Sequence, residues 1–234
     1  MTGAALSGGA VPRLIVVSPH LDDAVLGCSG LLVQCPGSVV CTVFAGEPDA
    51  PMSTPWDAAC GFADSREAMR VRREEDDRAL SLCGAQAVRL DFRDAQYGAT
   101  PSVDDVAEAL AAQFARFPGY VPVCPLGLWH SDHELVGAAS RRLLGSGRLA
   151  RCIAYEDAIY RAMPGVLSAG FKRLEHERLR AHALRADAFG PRAANGFTAL
   201  KRRAVQAYAS QMRAFETIPP DAVRAEHYWR IAPR

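Results

Sequence analysis

The 234-residue chain contains no long hydrophobic run and carries almost no net charge. A formal charge of +1 leaves no basic field that would attract nucleic acid or anionic lipid. No stretch is long and apolar enough to span a bilayer, and residues 1–6 lack the basic start and apolar centre of a signal peptide. We therefore expect a cytoplasmic protein with a small-molecule partner and with neither nucleic acid nor membrane as a partner. The oligomeric state is not indicated.

Two common motifs are missing as well. The seven cysteines never form a Cys-x-x-Cys pair, so we expect reduced core residues rather than disulfides or a thiolate zinc site. No Gly-x-Gly-x-x-Gly sequence follows the first predicted strand, because Gly27-Cys28-Ser29-Gly30 lies too far into the next helix to cradle a pyrophosphate. A non-catalytic Rossmann-like binding module is therefore the least favoured interpretation, although it stays open.

Strand-like and helix-like segments alternate along most of the chain, which predicts an α/β, Rossmann-like three-layer fold with a mainly parallel central sheet. We expect one domain over residues 1–234, with residues 1–10 as a flexible lead and residues 158–234 covering or extending the pocket. Gly84 is expected to end the helix of residues 63–83. The other predictions are strands at 14–17, 38–44, 87–91, 120–125 and 151–156, an N-cap at Ser102 with Asp105, long loops at 45–62 and 92–101, a turn at Asn195-Gly196 and a helix over 201–212.

Polar side chains follow the first and the fourth predicted strands. His20, Asp22 and Asp23 come directly after the first strand, and the segment His130-Ser131-Asp132-His133 follows the fourth. Ligands of open α/β sheets bind at the carboxyl ends of the strands, so we expect these two turns to form one site.

The combination of side chains indicates a metal-dependent hydrolase. His20, Asp23 and His133 form a two-histidine, one-carboxylate set suited to Zn²⁺ or another divalent metal, with positions open for water and substrate. Asp22 is then free to take a proton from the metal-bound water. His130 is expected to act as an imidazolium that stabilises an oxyanion or protonates a leaving amine.

Asp132 lies between His130 and His133 and is expected to hold one of these imidazoles in a fixed tautomer. A less specific interpretation also has to be considered, because a lone His-x-Asp-Asp is often only a capped helix start. The presence of both motifs at strand ends, in a chain with six histidines, favours the metal site. His176 and His182 are expected at the surface, and the mixed charges from Arg66 to Arg78 are typical of a solvated helix face.

The two motifs resemble those of the PIG-L/LmbE-like de-N-acetylases, which carry Pro-His-Pro-Asp-Asp-Glu and a downstream His-x-Asp-His. The resemblance extends to the family's Arg-x-x-Glu helix at Arg72-Arg73-Glu74-Glu75 and to its late helix at 201–211. It implies a Rossmann-like fold, zinc ligands at His20, Asp23 and His133, a general base at Asp22 and an oxyanion-stabilising histidine at His130.

What the resemblance implies about activity is removal of an N-acetyl or other N-acyl group from an amino-sugar-containing metabolite. The turn Pro-His-Leu-Asp-Asp resembles a branch associated with actinobacterial secondary metabolism, which suggests a natural-product or antibiotic intermediate. An amidase for a mycothiol-type thiol conjugate or another N-acyl natural product is the alternative. Candidate substrate contacts are Trp56, Asp57, Arg72 and Tyr97. Trp56, Asp57 and Tyr97 lie on the two predicted loops that would rim the site.

Four positions depart from the family pattern. Leu21 and Ala24 replace the motif proline and glutamate, which affects the turn but removes no ligand. Tyr208 stands where many members have a histidine, so no role is assigned to it. Leu128 stands where the mycothiol-pathway deacetylase has a tyrosine that assists the transition state, so no matching tyrosine contribution is expected.

Overall fold

Seven strands form one sheet in residues 11–184 and 197–234, the parts of the chain that this computed structural model describes. The strands are β1 (Leu14–Ser18), β2 (Val39–Thr42), β3 (Gln86–Arg89), β4 (Val121–Pro125), β5 (Cys152–Tyr155), β6 (Leu179–Leu184) and β7 (Tyr228–Pro233). The helices are α1 (Asp23–Gln34), α2 (Pro55–Ala59), α3 (Ser65–Leu82), α4 (Val103–Arg116), α5 (Ser131–Gly145), α6 (Val166–His176), α7 (Phe197–Gln206) and α8 (Ala209–Ala214).

The strand order is β3-β2-β1-β4-β5-β7-β6. Strands β1 to β5 are parallel, whereas β7 runs antiparallel to both β5 and β6. Because β1 pairs with β2 on one side and with β4 on the other, the direction of strand progression reverses between β1 and β4. Such a switch point is where open α/β sheets bind ligands. Both polar turns predicted from the sequence begin there.

Helices cover both faces of the sheet, which confirms the predicted three-layer α/β fold. Alternate residues of a strand point to opposite faces. In β1, Ile15 and Val17 pack into the core that includes α4 and α5, whereas Leu14 and Val16 pack into the core that includes α1, α3 and α7. Every residue of β1 is buried, as its run of branched apolar residues predicts.

Two predicted helix ends are confirmed. Ser102 and Asp105 form a reciprocal capping box at the start of α4. Gly84 follows α3 with a φ of 69°, a left-handed conformation that glycine adopts without a side-chain clash.

The structure corrects the sequence prediction at three places. The loop of residues 45–62 contains α2, which Thr54 caps by accepting the Asp57 N–H. The helix expected over 201–212 is two helices, because the chain leaves the helical conformation at Tyr208, with φ −84° and ψ 59°. After Asp157 the sequence pattern does not separate helix from strand, and the structure has α6 and the antiparallel strand β6 there. Residues 1–10 and the turn at Asn195-Gly196 lie outside the described residues.

The interpretation of Arg66–Arg78 as a solvated helix face is wrong for three residues of α3. Arg72, Glu75 and Asp76 are buried. Glu75 accepts hydrogen bonds from the backbone and hydroxyl of Ser210, and Asp76 accepts one from the Tyr208 hydroxyl at 2.9 Å. The charges on this face therefore bind the segment around α8 against α3.

All seven cysteines are buried and unpaired, as predicted. His176 and His182 are exposed, also as predicted. Within 11–184 and 197–234, no helix has both the length and the apolar character needed to cross a bilayer.

Candidate active site

The turn after β1 is fixed by its own side chains. The Ser18 hydroxyl donates to the carbonyl of His20 at 2.6 Å and accepts the backbone N–H of Ala24 at 2.9 Å. Asp23 Oδ2 accepts the backbone N–H of His20 at 2.8 Å. These bonds close the turn between β1 and α1 and hold the side chains of His20 and Asp23 against each other, despite the departures from the family motif at Leu21 and Ala24.

His20, Asp23 and His133 form a compact cluster in which Asp23 lies between the two imidazoles. Asp23 Oδ2 lies 3.2 Å from Nδ1 of His20 and 3.1 Å from Nε2 of His133. One nitrogen or oxygen from each residue falls within 4.8 Å of the others, a spacing that can hold a metal ion. A second such set in the described residues combines His20 with His130 and Asp132. The structure thus brings together the three ligands named from the sequence.

The charges of this cluster favour a cation at its centre. Burial alone would lower the pKa of His133, but the facing carboxylates of Asp23 and Asp157 raise it to about 9. His20 is also buried, yet its hydrogen bonds to Asp132 and Asp23 raise its pKa well above the usual value. Burial would raise the pKa of Asp23, but the two imidazoles hold it well below its usual range. The carboxylates of Asp23, Asp132 and Asp157 thus create a negative potential at this point, which a divalent metal would neutralise.

Asp157 orients the imidazole of His133 within the cluster. Asp157 Oδ1 lies 2.6 Å from Nδ1 of His133, and its Oδ2 accepts the backbone N–H of Gly127 at 3.0 Å. The other imidazole nitrogen, Nε2 of His133, is buried, forms no hydrogen bond within the described parts of the chain, and faces Asp23. A carboxylate on one imidazole nitrogen and a free nitrogen on the other form the usual environment of a metal-bound histidine.

The sequence predicted that Asp132 would hold the imidazole of His130 or His133, but its side chain contacts His20 instead. Its Oδ2 lies 2.9 Å from Nε2 of His20 and also accepts the backbone N–H of Ala95. The reason is geometric: Asp132 lies in the first turn of α5, directed across the switch point toward β1. The orienting carboxylates are therefore Asp132 for His20 and Asp157 for His133.

His130 is the N-cap of α5, and its Nδ1 accepts the backbone N–H of Asp132 at 3.2 Å. A nitrogen that accepts a hydrogen bond carries no proton, so the proton of this imidazole lies on Nε2. Burial and the nearby His20 and His133 lower the pKa of His130. The structure therefore favours a neutral His130 that can donate from Nε2, in place of the imidazolium expected from the sequence.

Asp22 precedes α1 at the N-cap position, but its side chain makes no cap hydrogen bond. The less specific interpretation of the first motif as a capped helix start thus fails for this residue. Burial, together with the negative charge of Asp23, raises the pKa of Asp22 to about 7. A carboxylate that lines the cavity without a structural hydrogen bond is available to exchange protons with a bound molecule.

A cavity of about 420 Å³ opens over these residues. Of the four predicted substrate contacts, Trp56 and Arg72 line it, whereas Asp57 and Tyr97 do not. Asp57 is fully buried, pairs with Arg72 at 2.8 Å and accepts the Tyr97 hydroxyl at 2.8 Å. Asp57 and Tyr97 thus lie behind Arg72 and position its guanidinium. Their polar groups are buried, and a buried polar group requires a partner of this kind.

Several lining residues were not identified from the sequence. Those with polar or aromatic groups are Phe44, Asp94, Gln96, Trp129, Tyr160, Tyr208, Gln211 and Phe215. A usable signal existed for two residues that contact the histidines of the site, since Asp157 and Tyr160 follow the fifth strand just as His20 and His130 follow the first and fourth. Tyr208 and Gln211 lie in the late helix that the family resemblance covers, but the sequence did not place them at the cavity, because their position depends on long-range packing against α3.

The sequence profile described as "PIG-L: GlcNAc-PI de-N-acetylase" matches residues 15–144, which is more than half of the chain. The chain belongs to this family. The match confirms the resemblance stated from the motifs and includes both polar turns of the site. Asp157, Tyr160 and the residues around α8 follow the matched region. No curated protein is significantly similar to the chain in sequence.

Solved structures similar to this PIG-L family member include deacetylases of antibiotic biosynthesis. A triple mutant of the teicoplanin-pathway deacetylase, Orf2*T, has a TM-score of 0.74 at 25% identity. The zinc-inhibited form of teicoplanin deacetylase Orf2 has a TM-score of 0.73 at 22% identity. The A40926 pseudoaglycone deacetylase Dbv21 has a TM-score of 0.69 at 23% identity. Each alignment covers 95% of this chain and 98% of the other.

Proposed function

We propose that this chain is a zinc-dependent hydrolase that removes an N-acetyl or related N-acyl group from an amino sugar in a natural-product intermediate. The observation that carries the proposal is the convergence of His20, Asp23 and His133 on one point. The carboxylate of Asp22 lines the cavity beside them and makes no hydrogen bond within the described parts of the chain. Family membership supports amide hydrolysis as the reaction.

The residues present fit a zinc ion. His20, Asp23 and His133 would hold it, because two imidazoles and one carboxylate match the preferences of Zn²⁺ and leave positions free. The buried Nε2 of His133 faces Asp23 and has no hydrogen-bond partner among the described residues, which supports this assignment. When bound, the ion polarises the amide carbonyl and lowers the pKa of a coordinated water toward about 7. Asp132 and Asp157 keep the two imidazoles in the required orientation.

Asp22 and His130 would divide the remaining chemistry. Asp22 takes a proton from the attacking water and returns it to the departing amine, which balances the hydrolysis without a further acid. His130, with its proton on Nε2, donates a hydrogen bond to the oxygen that becomes negative as the water adds. This division differs from the sequence-based hypothesis, in which His130 was an imidazolium that stabilised the oxyanion or protonated the leaving amine.

The walls of the cavity suit a sugar. Its volume of about 420 Å³ falls in the range of small-molecule sites, roughly 300–1,000 Å³. Arg72 lines it, and the guanidinium Nε is buried without a hydrogen-bond partner among the described residues. Asp94 supplies an acceptor for hydroxyl groups, and Trp56 supplies an apolar face. We infer that these groups bind the amino sugar.

The similar structures support a glycoside of antibiotic type as the substrate. They are deacetylases of teicoplanin biosynthesis and of the A40926 pseudoaglycone, and one is a deacetylase–teicoplanin complex. We infer a related acceptor here. Residues 158–234 would complete a single domain, since Ile159, Tyr160, Tyr208, Gln211 and Phe215 close the cavity. Seven unpaired, buried thiols fit a reducing compartment such as the cytoplasm.

A substrate panel tests the proposal. The zinc-loaded protein is incubated with free N-acetylglucosamine, an N-acetylglucosaminyl glycoside of a bulky aromatic aglycone, and an N-acetylated thiol conjugate of a glucosamine glycoside. We expect acetate release to be fastest with the aromatic glycoside and to cease after chelation. Cleavage of the thiol conjugate at its larger amide instead would favour the alternative amidase function.

A further inference from the structure

Tyr160 places a phenol directly against the catalytic histidines. Its ring centroid lies 4.9 Å from that of His133 in an edge-on arrangement and 6.1 Å from that of His130 at an interplanar angle of 25°. Tyr160 is half-buried and lines the cavity. No residue in the described ranges forms a hydrogen bond with its hydroxyl. Tyrosine hydroxyls away from solvent usually have a hydrogen-bond partner. The hydroxyl of Tyr160 is therefore available to a ligand.

The backbone that presents Tyr160 is strained. Ile159, the preceding residue, has a φ of 65°, which is an outlier for a β-branched side chain. Such conformations cost of order 1–3 kcal/mol, persist only where surrounding contacts enforce them, and cluster at functional sites. Ile159 lies between Asp157, which contacts His133, and the 3₁₀ turn at Tyr160–Ala162.

Asp221 stabilises that conformation through hydrogen bonds from a distant part of the sequence. Its Oδ2 accepts the backbone N–H of Ile159 at 2.8 Å and the Nε–H of Arg161 at 2.8 Å. The two bonds hold the residues before and after Tyr160. Trp129, itself at a φ of 61°, stacks on the Tyr160 ring with centroids 5.3 Å apart. The phenol is thus fixed in position before any substrate binds.

We propose that Tyr160 is a further catalytic residue whose hydroxyl donates a hydrogen bond to the carbonyl oxygen of the scissile amide. The inference rests on the proposed deacetylation. As water adds to the carbonyl carbon, a C–O bond forms and the π electrons move to this oxygen. Tyr160 keeps its proton throughout and stabilises the negative charge together with His130. The C–N bond then breaks and the amine leaves with the proton that Asp22 carries.

This role would answer the departure at Leu128. The sequence led us to expect no phenol in the reaction, because no tyrosine lies two residues before His130. The structure brings a phenol to the same two histidines from the loop after β5 instead. If Tyr160 only formed a wall of the cavity, its ring would suffice, whereas the proposed role requires its hydroxyl. Removal of the hydroxyl oxygen alone therefore distinguishes the two roles.

Tyr160→Phe is therefore the test. Tyr120→Phe is the matched control, because Tyr120 precedes β4 and the site lies at the other, carboxyl end of that strand. We expect Tyr160→Phe to lower kcat about 10²–10³-fold, the scale for one oxyanion donor, with KM, zinc content and Tm unchanged. Its affinity for a methylphosphonamide of glucosamine, a mimic of the tetrahedral intermediate, should fall by a similar factor. Affinity for the amine product should not change, and the control should match the wild type throughout.

Three results would overturn the inference: wild-type kcat in Tyr160→Phe, a rise in KM alone, or loss of zinc from the variant. The second would make Tyr160 a ground-state contact, and the third would make it a support for His133. Failure of the proposed function is distinguishable, because the wild-type protein itself would then release no acetate from any member of the panel.

Discussion

Asp157 joins the loops that follow β4 and β5 through a single carboxylate. Its Oδ1 lies 2.6 Å from Nδ1 of His133, and its Oδ2 accepts the N–H of Gly127. Gly127 has a φ of 77°, and a Cβ there would lie 2.7 Å from the carbonyl oxygen of His133. The close approach of the loop after β4 to helix α5 requires glycine, and Asp157 orients the imidazole from behind the site.

Loss of the orienting carboxylate should weaken the metal site without removing a ligand. We expect Asp157→Asn to reduce zinc affinity about 10–100-fold, the usual effect of removing such a partner. His133→Ala should abolish stoichiometric binding, because it removes a ligand. Competition with a chromophoric chelator measures both, and His182→Ala is the control because that histidine is exposed. Full zinc affinity in His133→Ala would exclude His133 as a ligand.

Asp22 should act on the water without holding the metal. Asp22→Asn keeps the size of the side chain and removes its basicity, so we expect unchanged zinc content and a loss of about 10²–10⁴-fold in kcat. Elemental analysis and steady-state kinetics on the same preparation check both parts. If the variant turns over at the wild-type rate, another group must take the proton.

Trp56 and Asp57, although adjacent, should respond differently to truncation. Trp56→Ala removes a cavity wall and should raise KM for a glycoside more than it lowers kcat. Asp57→Ala leaves the buried Arg72 without its partner, which should cost about 3–5 kcal/mol of unfolding free energy. The control is Glu74→Ala, which breaks an exposed ion pair with Arg70 and should cost less than about 1 kcal/mol.

Urea unfolding separates these effects from binding. Equal losses of stability in Asp57→Ala and Glu74→Ala would show that the buried cluster around Arg72 contributes nothing special. An unchanged KM in Trp56→Ala would place sugar recognition elsewhere in the cavity.

The buried carboxyl of Asp76 should make stability depend on pH. Burial raises its pKa from 3.8 to about 6, against the effect of its hydrogen bond from Arg89. The folded state therefore binds more protons than the unfolded state between about pH 4 and 6, so this contribution is fully present below pH 4 and is lost as pH rises to about 6. The difference corresponds to about 3 kcal/mol.

Asp76→Asn should remove this slope, whereas Asp77→Asn should retain it, because Asp77 is exposed and also pairs with Arg89. The measurement is the free energy of unfolding of the three proteins from pH 4 to 7. Parallel curves for the wild type and Asp76→Asn would contradict the assignment.

How far the sequence predicted this molecule depended on the range of the interactions involved. Both polar turns could be found because each is a local motif after a buried strand, and parallel strands bring their ends together. The carboxylate partners of the imidazoles could not be found in this way, since Asp132 and His20 are 112 residues apart in the sequence. The burial of Arg72, Glu75 and Asp76 was missed for the same reason, as their partners lie outside α3. The antiparallel pairing of β6 with β7 depends on a segment whose pattern did not separate helix from strand.

The central claim is that Asp22 and the cluster of His20, Asp23 and His133 hydrolyse an N-acetyl amide. The most direct measurement quantifies acetate and free amine together, from an N-acetylglucosaminyl glycoside with a bulky aromatic aglycone, using zinc-loaded wild type and zinc-loaded Asp22→Asn. We expect one acetate per amine from the wild type and at least a hundredfold slower release from the variant. Equal rates from the two proteins, or no acetate from the zinc-loaded wild type, would contradict the account.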